Sequence, residues 1–148
     1  MQRLGPEGDV YHGGTFAGHP LSMAAGITTL RELSVHPPYD QLETLSRRLV
    51  DGLVQEAQRT HLPIQINWLG SMFTVFFSQG PVRNFTQAKA SRREQFAQWA
   101  QALQRRGILV APSPFEALFV STAHTALHID RFLEASHEAF ASIRAGVL

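Results

Sequence analysis

Apolar residues recur at helical spacing in four parts of the chain. In each part they follow the i, i+3, i+4 pattern of a helix that buries one side. The predicted helices span about residues 20–35, 40–60, 91–106 and 125–145. Pro37 and Pro38 end the first helix, since a residue before proline is disfavoured in helical geometry, and Gly107 ends the third.

Polar residues at the starts of the later helices predict N-terminal caps. Asp40 with Glu43, and Ser91 with Glu94, have the three-residue spacing of a capping box. Thr125 is the predicted cap of the last helix, because its hydroxyl can accept a free backbone N–H there.

The hydrophobic period changes to two after the second helix. Ile64, Ile66 and Trp68 alternate with polar residues, which predicts a half-buried strand. Gly70 then provides a turn, and the apolar run from Met72 to Phe77 predicts a second strand. We expect an antiparallel hairpin here.

The rest of the chain predicts one loop and two short strands. Residues 80–90 are polar and predict a loop, while residues 108–111 and 115–120 predict strands separated by a Pro-Ser-Pro turn. The order is helix, helix, strand, strand, helix, strand, strand, helix. We therefore predict an α+β fold, with a small, mainly antiparallel sheet covered on one face by helices.

Composition narrows the possible functions. The chain has 148 residues, a formal net charge of +1 and no cysteine. It can bury a core, but it has no disulfide, thiolate metal ligand or cysteine nucleophile. The charge gives no indication of nucleic-acid binding, and no apolar run reaches the length of a membrane span. Of the 13 basic residues 12 are arginine, which leaves Lys89 as the only lysine.

A glycine-rich segment precedes the first helix and contains one hydroxyl. Gly13, Gly14 and Gly18 allow close backbone approach, and Thr15 lies among them. A turn of this kind at a helix N-terminus suits an anion such as phosphate. The alternative is a tight turn that only positions the helix.

Two further features are candidates for chemistry. His124 and His128 are four residues apart among seven histidines, but they lie on either side of a predicted helix start, and the chain has no HExxH motif, so we predict no metal site. Glu116 has apolar neighbours, so it is either an edge-strand residue facing water or a carboxylate lining a site.

Three segments together resemble one enzyme family. Residues 13–26 resemble the GGTFxGNPLxMAAG segment of class III, fold-type I pyridoxal-phosphate aminotransferases. Residues 107–117, with 121–125 and 129–130, are similar to the APSxFEA…SxAHT…ID block of glutamate-1-semialdehyde aminomutases. Residues 70–77 resemble the GxMFxxFF strand pair of the same enzymes.

The resemblance implies a division of the chain and a set of site residues. Residues 1–37 would be the end of the large cofactor-binding domain, and residues 38–148 the small C-terminal domain. Gly14 and Thr15 would contact the phosphate of pyridoxal 5'-phosphate across a homodimer, and Glu116 would lie at the substrate end of the site. His19 departs from the family's usual asparagine.

The resemblance also implies an activity. The family converts glutamate-1-semialdehyde to 5-aminolevulinate for tetrapyrrole synthesis, in the cytoplasm or in the plastid of a plant or alga. It holds its cofactor through a lysine upstream of the GGT segment, a position that Lys89 does not match. We therefore expect a C-terminal portion that is inactive alone. The alternatives are another class III aminotransferase and a non-catalytic dimerisation or binding fragment.

Overall fold

The computed structural model describes residues 2–146 and divides the chain after Pro37 into two compact units. The elements are α1 (Pro20–Val35), α2 (Tyr39–Arg59), β1 (Gln65–Leu69), β2 (Met72–Phe76), α3 (Phe85–Ala90), α4 (Arg93–Arg105), β3 (Leu118–Phe119) and α5 (Ala126–Ala145).

The first unit contains α1, whose bounds agree with the prediction. Pro20 occupies the first helical position, where a missing N–H costs no hydrogen bond. No residue of α1 is buried, and its apolar side chains, such as Leu21, Ile27 and Leu30, are exposed.

The second unit is built on a three-stranded antiparallel sheet in the order β1-β2-β3. Leu69 pairs with Met72 at the hairpin end, and Gly70 between them has φ of 58°, the conformation that two-residue hairpin turns favour. The predicted hairpin is confirmed. The third strand is short, with Met72 opposite Phe119.

The long helices of this unit cover one face of the sheet, so the predicted fold class is confirmed. Helix α2 contacts β1 and β2, and α5 packs against both α2 and α4. At Gly52 of α2 a Cβ would lie 2.4 Å from Leu133 Cδ1 on α5, so any side chain there would force the Leu133 side chain to move.

Trp99 of α4 lies at the centre of the helical layer. It is fully buried, and its indole contacts four aromatic rings at centroid distances of 5.5–6.3 Å. These rings are Phe77, Phe96, Phe132 and Phe140. The indole Nε1 donates a hydrogen bond of 3.2 Å to the buried Ser136 Oγ on α5, so the one polar atom of the ring is satisfied.

The second tryptophan has a different environment. Trp68 on β1 is half-buried, and the guanidinium carbon of Arg47 on α2 lies 5.1 Å from its ring centroid. This cation–π contact links the hairpin to α2 at the surface of the unit.

The opposite face of the sheet carries a small second core. Phe76 packs there with Val82 and Ala88. Ala88 belongs to α3, so the prediction of a loop over residues 80–90 is wrong. Asn84 caps this helix by accepting a 3.0 Å hydrogen bond from Gln87 N, and the Gln87 side chain accepts one from Arg83 N.

Two predicted capping boxes are also wrong. Helix α2 begins at Tyr39 after Pro38, without a side-chain cap, and Glu43 instead pairs with Arg47 one turn later. Helix α4 likewise has no side-chain cap, because the Ser91 hydroxyl donates to the Ala88 carbonyl at the end of α3.

The cap of α5 is confirmed. Thr125 Oγ1 accepts from His128 N, and His128 Nδ1 accepts from Thr125 N, so the imidazole has the role that Glu or Gln plays in the usual box. The end of α2 is closed differently. His61 has φ of 54°, and Leu62 N donates to Ala57 O. These two features form a Schellman motif in which histidine occupies the position where glycine is usual.

The predicted strands on either side of the Pro-Ser-Pro turn are largely absent. Residues 108–111 form no strand, and of residues 115–120 only Leu118 and Phe119 pair with β2. The prolines at 112 and 114 have no N–H for a ladder, and Glu116 N donates to Ser113 O in a turn.

Candidate functional site

The glycine-rich loop of the first unit is held by two successive turns. Ala17 N donates to Gly14 O at 2.9 Å, and His19 N donates to Phe16 O at 3.1 Å. A Cβ at Gly13 would lie 2.7 Å from the hydroxyl oxygen of Tyr11, whose exposed side chain would have to move aside.

His19 connects this loop to α1. Its Nδ1 accepts from Ser22 N at 3.5 Å and lies 3.3 Å from the Ser22 hydroxyl, and its ring packs edge-on against Phe16 at 5.3 Å. An asparagine carbonyl is a common N-cap acceptor. Because the imidazole accepts the same type of N–H, this departure from the family pattern retains a capped helix.

Gly14 and Thr15 present unused donors in the same loop. Both residues are exposed, and a Cβ on Gly14 would meet no atom within 4 Å. Within residues 2–146 their backbone N–H groups and the Thr15 hydroxyl make no hydrogen bond. Free N–H and O–H donors in front of a helix N-terminus fit a phosphate group.

Glu116 belongs to the second unit and lies in the turn that precedes β3. Its carboxylate is exposed and has no ion-pair partner in the part of the chain that the structure describes. The Glu116 carbonyl accepts from the Thr74 hydroxyl at 3.5 Å, which ties the turn to β2. The carboxylate is therefore available to a ligand or a cationic group.

Helix α3 brings an aromatic pair beside this turn. The Phe85 ring lies 5.8 Å from that of Phe115, and the Lys89 ammonium lies 5.7 Å from the Phe85 centroid. Hydrophobic periodicity did not predict this arrangement, because residues 80–90 are polar and predict a loop. The sequence feature that could have predicted this helix is Asn84, a favoured N-cap residue, with Gln87 three positions later.

The histidines do not form a metal centre. Among residues 2–146 no group of three or more histidine, cysteine, aspartate or glutamate side chains could hold a metal ion. His124 and His128 lie 6.1 Å apart between ring centroids, and each uses Nδ1 as an acceptor.

None of the described helices is long and apolar enough to cross a membrane.

Comparison with known proteins identifies the family. The model of class III aminotransferases matches residues 1–139. The chain belongs to this family. It therefore shares a family with enzymes that use pyridoxal phosphate, and the glycine-rich loop lies inside the matched region.

Two curated relatives are glutamate-1-semialdehyde 2,1-aminomutases. The protein from Desulfosudis oleivorans is 46% identical over 97% of this chain and 34% of its own length. That from Desulforudis audaxviator is 47% identical over 95% of this chain and 32% of its own. The chain thus spans about a third of the length of these relatives.

A solved structure shares the fold. The pyridoxal-phosphate internal aldimine form of the FumI protein from Sphingopyxis sp. MTA144 matches with a TM-score of 0.72 and 30% identity, over 94% of this chain and 31% of that one. The small α+β unit is therefore the arrangement found in a cofactor-bound relative.

Proposed function

We propose that this chain is part of a pyridoxal-phosphate enzyme that converts glutamate-1-semialdehyde to 5-aminolevulinate, the precursor of tetrapyrroles. The observation that supports this most directly is the 46% identity to an aminomutase over almost the whole chain. A second aminomutase matches at 47% identity, and this agreement favours the aminomutase over another class III aminotransferase.

In this proposal the first 37 residues belong to the large domain of the enzyme, and the remainder is the small domain. The enzyme would be a homodimer in the cytoplasm, or in the plastid of a plant or alga. The Schiff-base lysine would come from the part of the enzyme that corresponds to the remaining length of the relatives. The chain alone would then be inactive, because Lys89 in the last turn of α3 lies downstream of the glycine-rich loop, whereas the family's lysine lies upstream of it.

Gly14 and Thr15 would hold the cofactor phosphate. When bound, the cofactor supplies an electron-accepting ring that allows an amino group to be moved between adjacent carbons. The Thr15 hydroxyl and the N–H groups of the loop would donate to phosphate oxygens, and the proposal is supported by the exposure and free donors of both residues. The absence of a side chain on Gly14 would allow the phosphate to approach the backbone.

Glu116 would act at the substrate end of the site. An exposed carboxylate without an internal partner is free to attract the amino group of the substrate or to accept a proton from it. The hydrogen bond from Thr74 to the Glu116 carbonyl keeps the turn against β2 and so limits where the carboxylate can reach.

A chimeric enzyme tests the proposal. This chain would replace the matching third of the Desulfosudis oleivorans aminomutase, and 5-aminolevulinate formed from glutamate-1-semialdehyde would be measured. We expect turnover. A chimera that folds, dimerises and binds cofactor, but forms no 5-aminolevulinate, would overturn the assigned reaction.

Two substitutions in the chimera test the residue roles. Thr15→Val should weaken cofactor affinity by about 10- to 150-fold, since a hydrogen bond to a charged group contributes about 1.5–3 kcal/mol. Thr122→Val, at another exposed threonine, is its matched control. Glu116→Gln should lower turnover without changing cofactor affinity, whereas the exposed-surface control Glu134→Gln should change neither. Unchanged affinity in Thr15→Val, or unchanged turnover in Glu116→Gln, contradicts the corresponding role.

A further inference from the structure

A cavity of about 710 Å³ opens in the second unit between β3, residues 107–111 and the first turns of α5. This volume is in the range of pockets that hold small organic ligands. Apolar side chains form much of its wall, among them Leu49, Phe73, Val110, Leu118, Ile129 and Phe132. Ala117 also lines the cavity, whereas the neighbouring Glu116 does not.

The ionisable residues that line this cavity are all basic. They are Arg106, His124, His128 and Arg131, and within residues 2–146 no aspartate or glutamate lines it. Arg106 is compensated, because its guanidinium bonds to Glu138. Arg131 has no ion-pair partner in the described range, since the neighbouring Asp130 pairs with Arg48 at 2.6 Å. One guanidinium charge at the cavity is therefore free to pair with an anion.

The two histidines at the cavity have defined donor groups. Ser121 N donates to His124 Nδ1 at 2.9 Å, and Thr125 N donates to His128 Nδ1 at 3.1 Å. A nitrogen that accepts a hydrogen bond from a backbone N–H carries no proton of its own, so each neutral ring is protonated on Nε2. Each of these lining residues thus carries an Nε2–H donor, and neither has a ring nitrogen free to accept.

We propose that this cavity binds a small carboxylate with an unbranched apolar chain, such as a medium-chain fatty acid. The carboxylate pairs with Arg131 and accepts from Nε2 of His124 and His128, whose rings lie 6.1 Å apart between centroids. The chain lies among the apolar wall residues. An unpaired guanidinium and fixed N–H donors select an anion, and the wall selects an apolar body.

Calorimetric titration of the 148-residue chain with sodium octanoate tests the site. Octanol has the same apolar chain without the charge, and octylammonium has the opposite charge. We expect octanoate to bind at least tenfold more tightly than octanol, and octylammonium not to bind. Equal affinity for octanoate and octanol would overturn the proposal.

Variants locate the binding. Arg131→Gln should weaken octanoate binding at least tenfold, while Arg144→Gln, a matched exposed arginine near the other end of α5, should leave it unchanged. The double variant His124→Asn with His128→Asn keeps side-chain acceptors but removes both Nε2–H donors, and should also weaken binding. Urea midpoints check that each variant is folded.

A measurement without mutation keeps the proposal falsifiable if a variant does not fold. In nitrogen-15 spectra of the unmodified chain, octanoate should shift the imidazole resonances of His124 and His128 and leave those of His61 unchanged. Unshifted resonances at saturating octanoate would refute the site. A loss of self-association in Arg131→Gln, without any octanoate binding to the parent chain, would show that this surface is an interface between copies and would also refute it.

Discussion

Replacing Ser136 with alanine should destabilise the second unit by removing one buried hydrogen bond. Trp99 and Ser136 are both fully buried, and the indole N–H donates to the serine hydroxyl across the contact between α4 and α5. Indole nitrogen is a donor only. With Ser136→Ala its proton would remain buried in an aromatic cluster without an acceptor.

The magnitude follows from the environment of that proton. Leaving a buried donor unsatisfied costs about 1–3 kcal/mol. Alanine has a helix propensity that is roughly 0.5 kcal/mol better than that of serine, which offsets part of the loss. The substitution removes a single oxygen atom, so the new cavity is too small to add a large term. We expect the free energy of unfolding to fall by about 1–2 kcal/mol.

Urea unfolding followed by far-ultraviolet circular dichroism measures this loss. Ser142→Ala is the matched control, because it makes the same exchange at a half-buried position of the same helix, where within residues 2–146 the serine hydroxyl bonds only to the Glu138 carbonyl. It should be neutral or slightly stabilising. In a Trp99→Phe background, which lacks the donor, Ser136→Ala should cost less than it does alone. If Ser136→Ala and Ser142→Ala have the same stability, the buried hydrogen bond does not stabilise the unit as argued.

Three other substitutions test the helix ends and the helix contact, each by urea unfolding. Thr125→Ala should lower the free energy of unfolding by about 1 kcal/mol through loss of the α5 cap, and Thr122→Ala should not. Gly52→Ala should stabilise a Leu133→Ala variant by about 0.5–1 kcal/mol, because alanine has a higher helix propensity than glycine. In the parent chain Leu133 occupies the space, so the same substitution should stabilise less or destabilise. Equal effects in both backgrounds would contradict the close contact. His61→Gly should stabilise by up to about 1 kcal/mol because glycine has no Cβ strain at positive φ, and a loss of stability would show that the imidazole makes a favourable contact there.

The long helices could be predicted from the sequence, because a helix that buries one face needs apolar residues every three or four positions. The four long helices have bounds close to those predicted, and Thr125 caps α5 as its position indicates. The capping boxes at Asp40 and Ser91 failed for a common reason. Each pattern contains a side chain with a competing local partner: Glu43 reaches Arg47, and the Ser91 hydroxyl reaches back to the preceding helix.

The short elements depended on contacts that hydrophobic period does not encode. Helix α3 is only six residues long, and Asn84 and the packing of Ala88 against Phe76 help to hold it in place. Residues 108–111 are apolar enough for a strand, but they have no strand partner in the described structure and instead line a cavity with β3.

The candidate site residues came from a resemblance and not from local pattern alone. Thr15 lies in a glycine-rich turn that is consistent with anion binding, and the structure adds that its hydroxyl is free within residues 2–146. The environment of Glu116 was not predictable, because two prolines and a turn replace the expected strand and leave the carboxylate exposed. The roles of Thr15 and Glu116 remain predictions.

The separate surroundings of the two tryptophans give the chain two natural optical reporters. Trp99 is enclosed by aromatic rings where α4 meets α5, so its emission should be that of an indole shielded from water. Trp68 lies half-exposed on the hairpin beneath Arg47, so its emission should be red-shifted and sensitive to added quenchers. The emission of a Trp68→Phe protein would come from Trp99 alone and would report on separation of the helical layer. Subtracting that emission from the spectrum of the parent protein would leave the emission of Trp68, which would report on the hairpin. Opening of the sheet edge and loss of the helical core can therefore be followed as distinct events in one unlabelled protein.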